Sequence, residues 1–458
     1  MVTARTAADP VSPIVRPAAP AHLGPLDGLR AAAAAAVLLT HVGSLTGYSL
    51  TGTPVSWVLS RGDVGVPIFF TLSGLLLYRK WAAAALTGDR ADRVAVYLRR
   101  RALRILPAYW AVVLIALPVL NPASAQRVWS WLQYLLLLQN YDVHPWWTGT
   151  GATGLAQTWS LVVEVSFYLV LPLLAAALTW FACRSDRHDN GEGGVSRRAR
   201  RLLAGIAVLA ASSAGWQVLA YYPRPNLWFG GTLPPLMIWF CTGMAIAVAL
   251  AWAAAEAGPG GPASRAGRSV AASAGMCGLI AACAFAIACT PLTGPEFFGV
   301  PGLWATEFKT ALYTLIAGAI VAPVAFQPLL ADRGAGMFSA RLLGSPPARF
   351  LGKISYGIFL WQFLAAYAFF GLLHLKTVFA GGSYTPPEVA AVGLAMALFT
   401  VAAATVSYYV IERPAQHLQH LTLARPGLAL ARARADEHGG QPADDQQADD
   451  LRDPVRQP

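Results

Sequence analysis

The sequence predicts an all-α membrane protein, a polytopic transmembrane bundle of about ten spanning helices. Of the 458 residues, 56% are hydrophobic and only 12% are charged, whereas a typical soluble domain carries about 25% charged residues. Apolar runs of about 20 residues recur along the chain, and each is long enough to cross a bilayer as a helix. The runs are rich in Ala and Leu and do not alternate, which favours helices over a β-barrel.

Ten apolar segments are predicted to span the membrane. They are 27–50, 64–84, 103–121, 158–181, 201–220, 230–253, 270–290, 305–328, 350–373 and 388–411. A further segment, 129–140, is short and amphipathic, and we expect a re-entrant or interfacial helix there. The spanning domain covers 25–415, and the polar segments 1–24 and 416–458 are predicted to be disordered cytoplasmic tails.

The net charge of +11 comes from basic residues that cluster between spans, chiefly in segments 79–104 and 184–201. In a soluble protein this charge would suggest nucleic acid as a partner, but here it predicts cytoplasmic loops. If 129–140 crossed fully, the two basic segments would lie on opposite sides of the membrane. We therefore expect a multi-pass protein of the cell inner (plasma) membrane, with both termini cytoplasmic and no nucleic-acid partner.

The first span carries two ionisable residues, Arg30 and His41, on one helix face. Their separation of eleven residues equals three turns plus about 20°, and about 16 Å along the axis. Arg30 is therefore expected near the cytoplasmic boundary and His41 near mid-membrane. An ionisable side chain inside a span is costly to bury, which makes His41 a candidate catalytic residue. The alternative is a core histidine that hydrogen-bonds a neighbouring helix.

A second cluster lies in the basic segment "YLRRRALRILPAYW", residues 97–110, before a span expected to open with Pro107. Arg101 and Arg104 are three apart and share a helix face. Guanidinium groups suit phosphate, so this pair could bind the phosphates of a coenzyme A thioester. The alternative is a plain positive-inside flank.

Further polar residues lie on two other spans. Ser160 and Glu164 share a face with Phe167 or Tyr168 in "TWSLVVEVSFYLVLP". Glu164 needs a partner, which we expect to be His41, Arg30 or a substrate hydroxyl, although a structural buried pair is the alternative. Ser73 precedes Gly74, where simple helix packing is the alternative to a role in substrate binding.

Six segments, taken in order, resemble the acyltransferase family 3 of integral membrane proteins. They are "LDGLRA…H" (Leu26 to His41), "FF.LSG" (Phe69 to Gly74), "RR..RI.P" (Arg100 to Pro107), "WSL..E..FY..P" (Trp159 to Pro172), "SYGIFLW" (Ser355 to Trp361) and "ERP" (Glu412 to Pro414). Each motif is weak alone, but the order of all six over roughly 25–415 is specific. Many relatives have a histidine where this chain has Gln362, so the resemblance does not extend a catalytic role to that position.

The resemblance implies an O-acyltransferase that moves an acyl group, often acetyl, from acyl-coenzyme A to a hydroxyl. The acceptor would be a glycan, a glycolipid or a macrolide-like secondary metabolite. By this resemblance His41 would be the catalytic histidine, Arg30 its partner in the motif, and Arg101 and Arg104 the family's cytoplasmic arginine pair. Our hypothesis is that His41 acts as base or acyl carrier and that the three arginines bind the phosphates of the donor. We expect no metal and no permanently bound cofactor; acyl-coenzyme A would be a co-substrate.

Within this interpretation Glu164 would orient His41 or hold the acceptor. Ser73, Ser160, Trp159 and Tyr356 are candidate substrate-binding residues, although Trp159 could equally be an interfacial anchor. The rival class is a transporter that uses intramembrane His, Arg and Glu as a proton or anion relay. A different membrane O-acyltransferase fold, which pairs His with a distant Asn, fits the order of motifs less well.

Overall fold

The computed structural model describes most of the spanning region predicted from the sequence. The described ranges are 24–88, 93–147, 149–184, 192–222, 227–256, 258–295, 299, 301–330 and 341–421. Within them the chain forms helices and turns and no strand, which confirms the all-α bundle. Residues 1–23 and 422–458, with most of the two predicted tails, lie outside the described residues, as do parts of the basic loops.

Eleven longer helices lie within the described ranges. They are α1 (Gly24–Leu45), α2 (Gly65–Thr87), α3 (Val94–Leu120), α4 (Thr158–Cys183), α5 (Glu192–Tyr221), α6 (Leu233–Ala255), α7 (Pro262–Ala272), α8 (Ala274–Ala288), α9 (Leu303–Phe326), α10 (Ser355–Leu372) and α11 (Pro386–Ser407). Short helices connect or follow them. They are Pro54–Ser60, Pro122–Ala125, Val128–Leu135, Leu227–Gly230, Pro346–Lys353 and Arg413–Leu421. A single π-helical turn, Tyr408–Glu412, follows α11.

Among the described residues, eight helices are long and apolar enough to span a membrane, and α7 with α8 could form a ninth span bent by 67°. The remaining predicted span corresponds to α2, a helix of 23 residues whose interior carries Arg79 and Lys80. Large apolar side chains also remain exposed on the helices, for example Leu173 and Trp304 at 72% and 81%. Such surfaces suit lipid contact, and the chain is a multi-pass membrane protein.

Three of the predicted span boundaries differ clearly from those of the helices, because hydropathy drops at charged and polar residues whereas a helix can continue through them or break elsewhere. Helix α3 begins at Val94 instead of 103, and Pro107 lies inside it rather than opening it. Helix α5 includes the arginines from Arg197 onward that we placed in a loop. The predicted span 350–373 is two helices, because the chain breaks at Ile354 before α10 begins.

The amphipathic segment 129–140 contains the short helix Val128–Leu135, whose eight residues extend only about 12 Å. It packs beside α3, where the Tyr109 hydroxyl donates 2.6 Å to the Tyr134 carbonyl. The chain then folds back into the protein, since Gln139 and Gln157 are both 2% exposed. This geometry agrees with a segment that does not cross.

Glycines bring α2 and α6 into close contact. A Cβ atom on Gly74 would collide with the Phe240 backbone, and one on Gly243 would collide with the backbone of Thr71. The packing interpretation of Gly74 is therefore correct. Phe240 in turn stacks on Phe167 of α4, with ring centroids 4.1 Å apart.

Helix α1 occupies a central place in the bundle, in contact with α2, α10 and α11. Its alanine run permits close approach, because the carbonyls of Ala33 and Ala36 lie where Cβ atoms on Gly65 and Gly62 would be. Helix α1, which carries Arg30 and His41, is thus held between several helices instead of facing lipid on all sides.

Candidate functional site

A cavity lies between α1, α2, α3, α4 and α10. Its charged and polar lining consists of Arg30, Ser73, Arg101, Arg104, Ser160, Glu164, Tyr168, Ser355 and Tyr356. Seven of the nine predicted site residues therefore meet in one cavity, and His41 and Trp159 do not line it.

Three guanidinium groups converge on this cavity from two helices. Arg30 forms an ion pair of 3.3 Å with Asp27, one turn earlier on α1. Arg101 and Arg104 reach the cavity because α3 is already helical there, which places both on one face. The buried Nε of Arg101 has no hydrogen-bond partner among the described residues. A buried donor of this kind is available to an anionic ligand.

Glu164 is held by hydroxyl groups on two helices. Ser73 of α2 donates 2.5 Å to its Oε1, and Tyr168 of α4 donates 2.6 Å to the same atom. The hydrogen bonds found for Glu164 thus involve neither Arg30 nor His41, the protein partners we expected. The sequence left open whether Phe167 or Tyr168 shares the helix face of Glu164. Tyr168 faces the carboxylate, and Phe167 packs in the core.

The remaining predicted substrate residues differ in position. Tyr356 donates 2.8 Å to the Ile105 carbonyl, which fixes its ring across the cavity between α10 and α3. Ser160 lines the cavity and donates 3.2 Å to the Gln157 carbonyl. Trp159 points elsewhere, and its carbonyl accepts a 2.8 Å hydrogen bond from Asn140.

His41 is not part of the cavity lining. Its Nδ1 is 3.0 Å from Oε1 of Gln362 on α10, and its ring is 4.4 Å from that of Phe363. Phe359 lines the cavity, and Gln362 follows three residues later, about 4.5 Å along the helix. The resemblance assigned no role to Gln362, although a lone amide in a helix without charges requires a buried partner.

Sequence reasoning missed a polar cluster around Asp63. Asp63, in the turn before α2, forms a 2.6 Å ion pair with Lys309 of α9 and accepts a hydrogen bond from Tyr313. Its carboxylate is within electrostatic range of the His41 ring. The signal was present, because the predicted span 305–328 carries two charged residues, Glu307 and Lys309.

The family model for the acyltransferase domain matches residues 24–409, which is the described bundle almost from end to end. The chain belongs to this acyltransferase family. The match confirms the resemblance drawn from the six motifs. It also means that the cavity, His41 and the Asp63 cluster all lie within the acyltransferase domain.

Curated relatives agree with the family. The acyltransferase MdmB of Streptomyces mycarofaciens is 30% identical over 247 residues, which are 50% of this chain and 58% of that protein. Nodulation protein 10 of Rhizobium leguminosarum bv. viciae is 30% identical over 33% of this chain and 44% of its own length. The peptidoglycan O-acetyltransferase OatA of Listeria monocytogenes is 24% identical over 74% of this chain and 48% of its own length. The chain thus spans about half the length of these relatives, and no solved structure gives a significant match.

Proposed function

We propose that this protein is a membrane O-acyltransferase that moves an acyl group, typically acetyl, from acyl-coenzyme A to a hydroxyl group. The observation that carries the proposal is the convergence of Arg30, Arg101 and Arg104 on a cavity whose lining includes Phe359, one helical turn before Gln362, the partner of His41. A polyanionic donor and a titratable imidazole are the two things that this reaction needs. Membership of the acyltransferase family supports the same conclusion.

The donor would bind through its phosphates. Arginine forms strong charge-assisted hydrogen bonds to phosphate, and Arg101 still has a buried donor to offer. The cavity lining carries three guanidinium groups against the single carboxylate of Glu164. The apolar remainder of the lining, which includes Phe69, Leu77 and Phe359, suits the thioester arm.

The chemistry would occur where the cavity approaches His41. The imidazole takes the proton of the acceptor hydroxyl while the hydroxyl oxygen attacks the thioester carbonyl, the carbon–sulfur bond breaks, and the coenzyme A thiolate leaves. Alternatively the imidazole attacks first and carries the acyl group to the hydroxyl. Base catalysis of this kind contributes about 10²–10⁴-fold. Glu164, Ser73 and Tyr356 would shape the pocket around the reacting groups.

The acceptor class is proposed from the relatives and from chemistry. One relative bears the name of a peptidoglycan O-acetyltransferase, so a glycan hydroxyl is the first candidate here, with a glycolipid or a macrolide-like metabolite as further candidates. The enzyme would lie in the plasma membrane with cytoplasmic termini, because its basic segments surround the cytoplasmic end of the arginine-bearing helices.

The test is thioester consumption by the purified full-length protein in lipid nanodiscs. Acetyl-coenzyme A is supplied with a panel of acceptors (peptidoglycan fragments, a glycolipid and a macrolide), and released coenzyme A thiol is measured. We expect acceptor-dependent release that His41→Ala abolishes. His417→Ala is the matched control, because His417 is exposed on the last described helix.

Two results would contradict the proposal. One is thiol release that His41→Ala leaves intact, which would remove the proposed catalytic group. The other is seen when the protein is placed in sealed vesicles. Movement of a solute or of protons across the vesicle membrane, without any thioester consumption, would favour the transporter.

A further inference from the structure

Gln362 uses both ends of its side-chain amide. Its Nε2 donates 2.8 Å to the carbonyl of Phe359, and its Oε1 lies 3.0 Å from Nδ1 of His41. A backbone carbonyl can only accept a hydrogen bond, so the amide nitrogen must be the end that faces Phe359. The hydrogen-bond network therefore decides which end of the amide faces the histidine.

An amide oxygen is also only an acceptor, so Nδ1 of a neutral His41 ring must carry the proton. The lone pair of the imidazole then lies on Nε2. Gln362 is 1% exposed, so its amide is buried in the protein. Phe363 packs against the ring at 4.4 Å with an interplanar angle of 46°, which restricts its rotation.

We propose that Gln362 is the positioning residue that holds His41 in the tautomer whose Nε2 acts as the base. This inference rests on the proposed function and deepens it. As the acceptor oxygen attacks the thioester carbon, its proton moves to Nε2; as the carbon–sulfur bond breaks, the imidazolium returns that proton to the departing thiolate. Throughout, the Nδ1–H group keeps its bond to Gln362, which orients the ring and stabilises the imidazolium. If Nε2 instead carries the acyl group, the same tautomer is required.

This assignment replaces the orienting role that we predicted for Glu164. The hydrogen bonds of Glu164 are to Ser73 and Tyr168, whereas the hydrogen bond at the His41 ring is to Gln362. An amide in this position also differs from a carboxylate, because it fixes the tautomer without adding a charge next to the histidine.

The direct test is the tautomer itself, which needs no substrate. The full-length protein is labelled with ¹⁵N-histidine in lipid bilayers, and the His41 signal among the eight histidines is identified by its loss in His41→Ala. We expect a neutral ring protonated at Nδ1 in the wild type and a mixture of both tautomers in Gln362→Leu. A wild-type ring protonated at Nε2, or an unchanged tautomer in Gln362→Leu, would overturn the inference.

The second test is acetyl transfer by three variants. Gln362→Leu removes the acceptor, and we expect kcat to fall at least tenfold while the KM for acetyl-coenzyme A stays within twofold. Gln362→Glu should restore most of the activity, because a carboxyl group offers an oxygen to Nδ1–H in either protonation state. Gln157→Leu is the matched control, since Gln157 is a buried glutamine that also bonds a carbonyl of α10, that of Leu360, and it should keep kcat near the wild-type value.

The two experiments separate this inference from the proposed function. If the wild type shows the expected tautomer but consumes no thioester, the proposed function fails and the inference about catalysis fails with it. If the wild type is an active transferase that depends on His41, but Gln362→Leu and Gln157→Leu are equally active, only the positioning role of Gln362 is wrong.

Discussion

Ser73 of α2 donates a 2.5 Å hydrogen bond to Glu164 of α4, although the two residues are 91 positions apart in the chain. Tyr168 donates to the same oxygen, so one carboxylate atom joins the two helices at the wall of the cavity. Arg30 and Arg101 lie within electrostatic range of this carboxylate. Glu164 therefore organises two hydroxyl groups inside an otherwise cationic pocket.

We predict that Glu164→Gln lowers kcat without weakening donor binding. The neutral amide holds the hydroxyls of Ser73 and Tyr168 less firmly, because charge-assisted hydrogen bonds are about twice as strong as neutral ones. Removal of the negative charge also leaves the cavity more favourable for an anion. We expect kcat to fall about tenfold and the KM for acetyl-coenzyme A to stay equal or decrease, as measured by thiol release.

Ser166→Ala is the control for this experiment. Ser166 is on the same helix, but its hydroxyl bonds the Val162 carbonyl and the Tyr141 hydroxyl away from the cavity. A rise in the KM for acetyl-coenzyme A in Glu164→Gln, with kcat unchanged, would mean that Glu164 contributes to donor binding instead.

Arg101→Gln and Arg104→Gln are predicted to weaken donor binding. Each arginine would lose hydrogen bonds to a charged group, worth about 1.5–3 kcal/mol, which corresponds to roughly 10–150-fold in KM for acetyl-coenzyme A. Calorimetry with coenzyme A checks that the change lies in binding, since KM equals Kd only when chemistry is slow.

Arg99→Gln separates this effect from a general loss of positive charge. Arg99 belongs to the same run of arginines, but it donates 2.8 Å to the Leu418 carbonyl at an exposed site. The donor-binding prediction requires Arg99→Gln to keep a near wild-type KM. An equal rise in KM for all three variants would identify the run as a plain positive-inside flank.

The sequence predicts the parts of this fold that depend on composition and on spacing within one helix. The spans follow from apolar runs, and the shared face of Arg101 and Arg104 follows from helical periodicity. The contact between His41 and Gln362 joins residues 321 positions apart and depends on how α1 and α10 are rotated against each other. A single sequence does not contain that rotation, so neither the contact of Gln362 with His41 nor those of Glu164 with Ser73 and Tyr168 could be predicted.

Gly243→Ala is predicted to destabilise the contact between α2 and α6. The added Cβ would collide with the Thr71 backbone, and such overpacking costs about 1–3 kcal/mol. We expect a lower thermal midpoint in detergent, measured by a dye for exposed thiols or by scattering. Gly278→Ala is the control, because no atom lies within 4 Å of its added Cβ and alanine favours a helix. An undiminished midpoint for Gly243→Ala would contradict the close approach of the two helices.

Arg61→Met is predicted to destabilise the protein without altering donor affinity. Arg61 is 2% exposed, and its guanidinium donates to the carbonyls of Ala288, Gly294 and Pro295, which ties the turn before α2 to the loop after α8. Each carbonyl left unpaired costs about 1–3 kcal/mol if it stays buried, so we expect a clearly lower thermal midpoint.

Arg61→Lys should recover only part of this loss, because an ammonium group lacks the planar fork that reaches several carbonyls at once. Arg127→Met, at an exposed site before the short helix Val128–Leu135, should leave the midpoint unchanged. The arginines of the cavity are untouched in all three variants, so the KM for acetyl-coenzyme A of the folded fraction should remain that of the wild type. A large rise in that KM for Arg61→Met at an unchanged thermal midpoint would mean that Arg61 contributes to donor binding and not to stability.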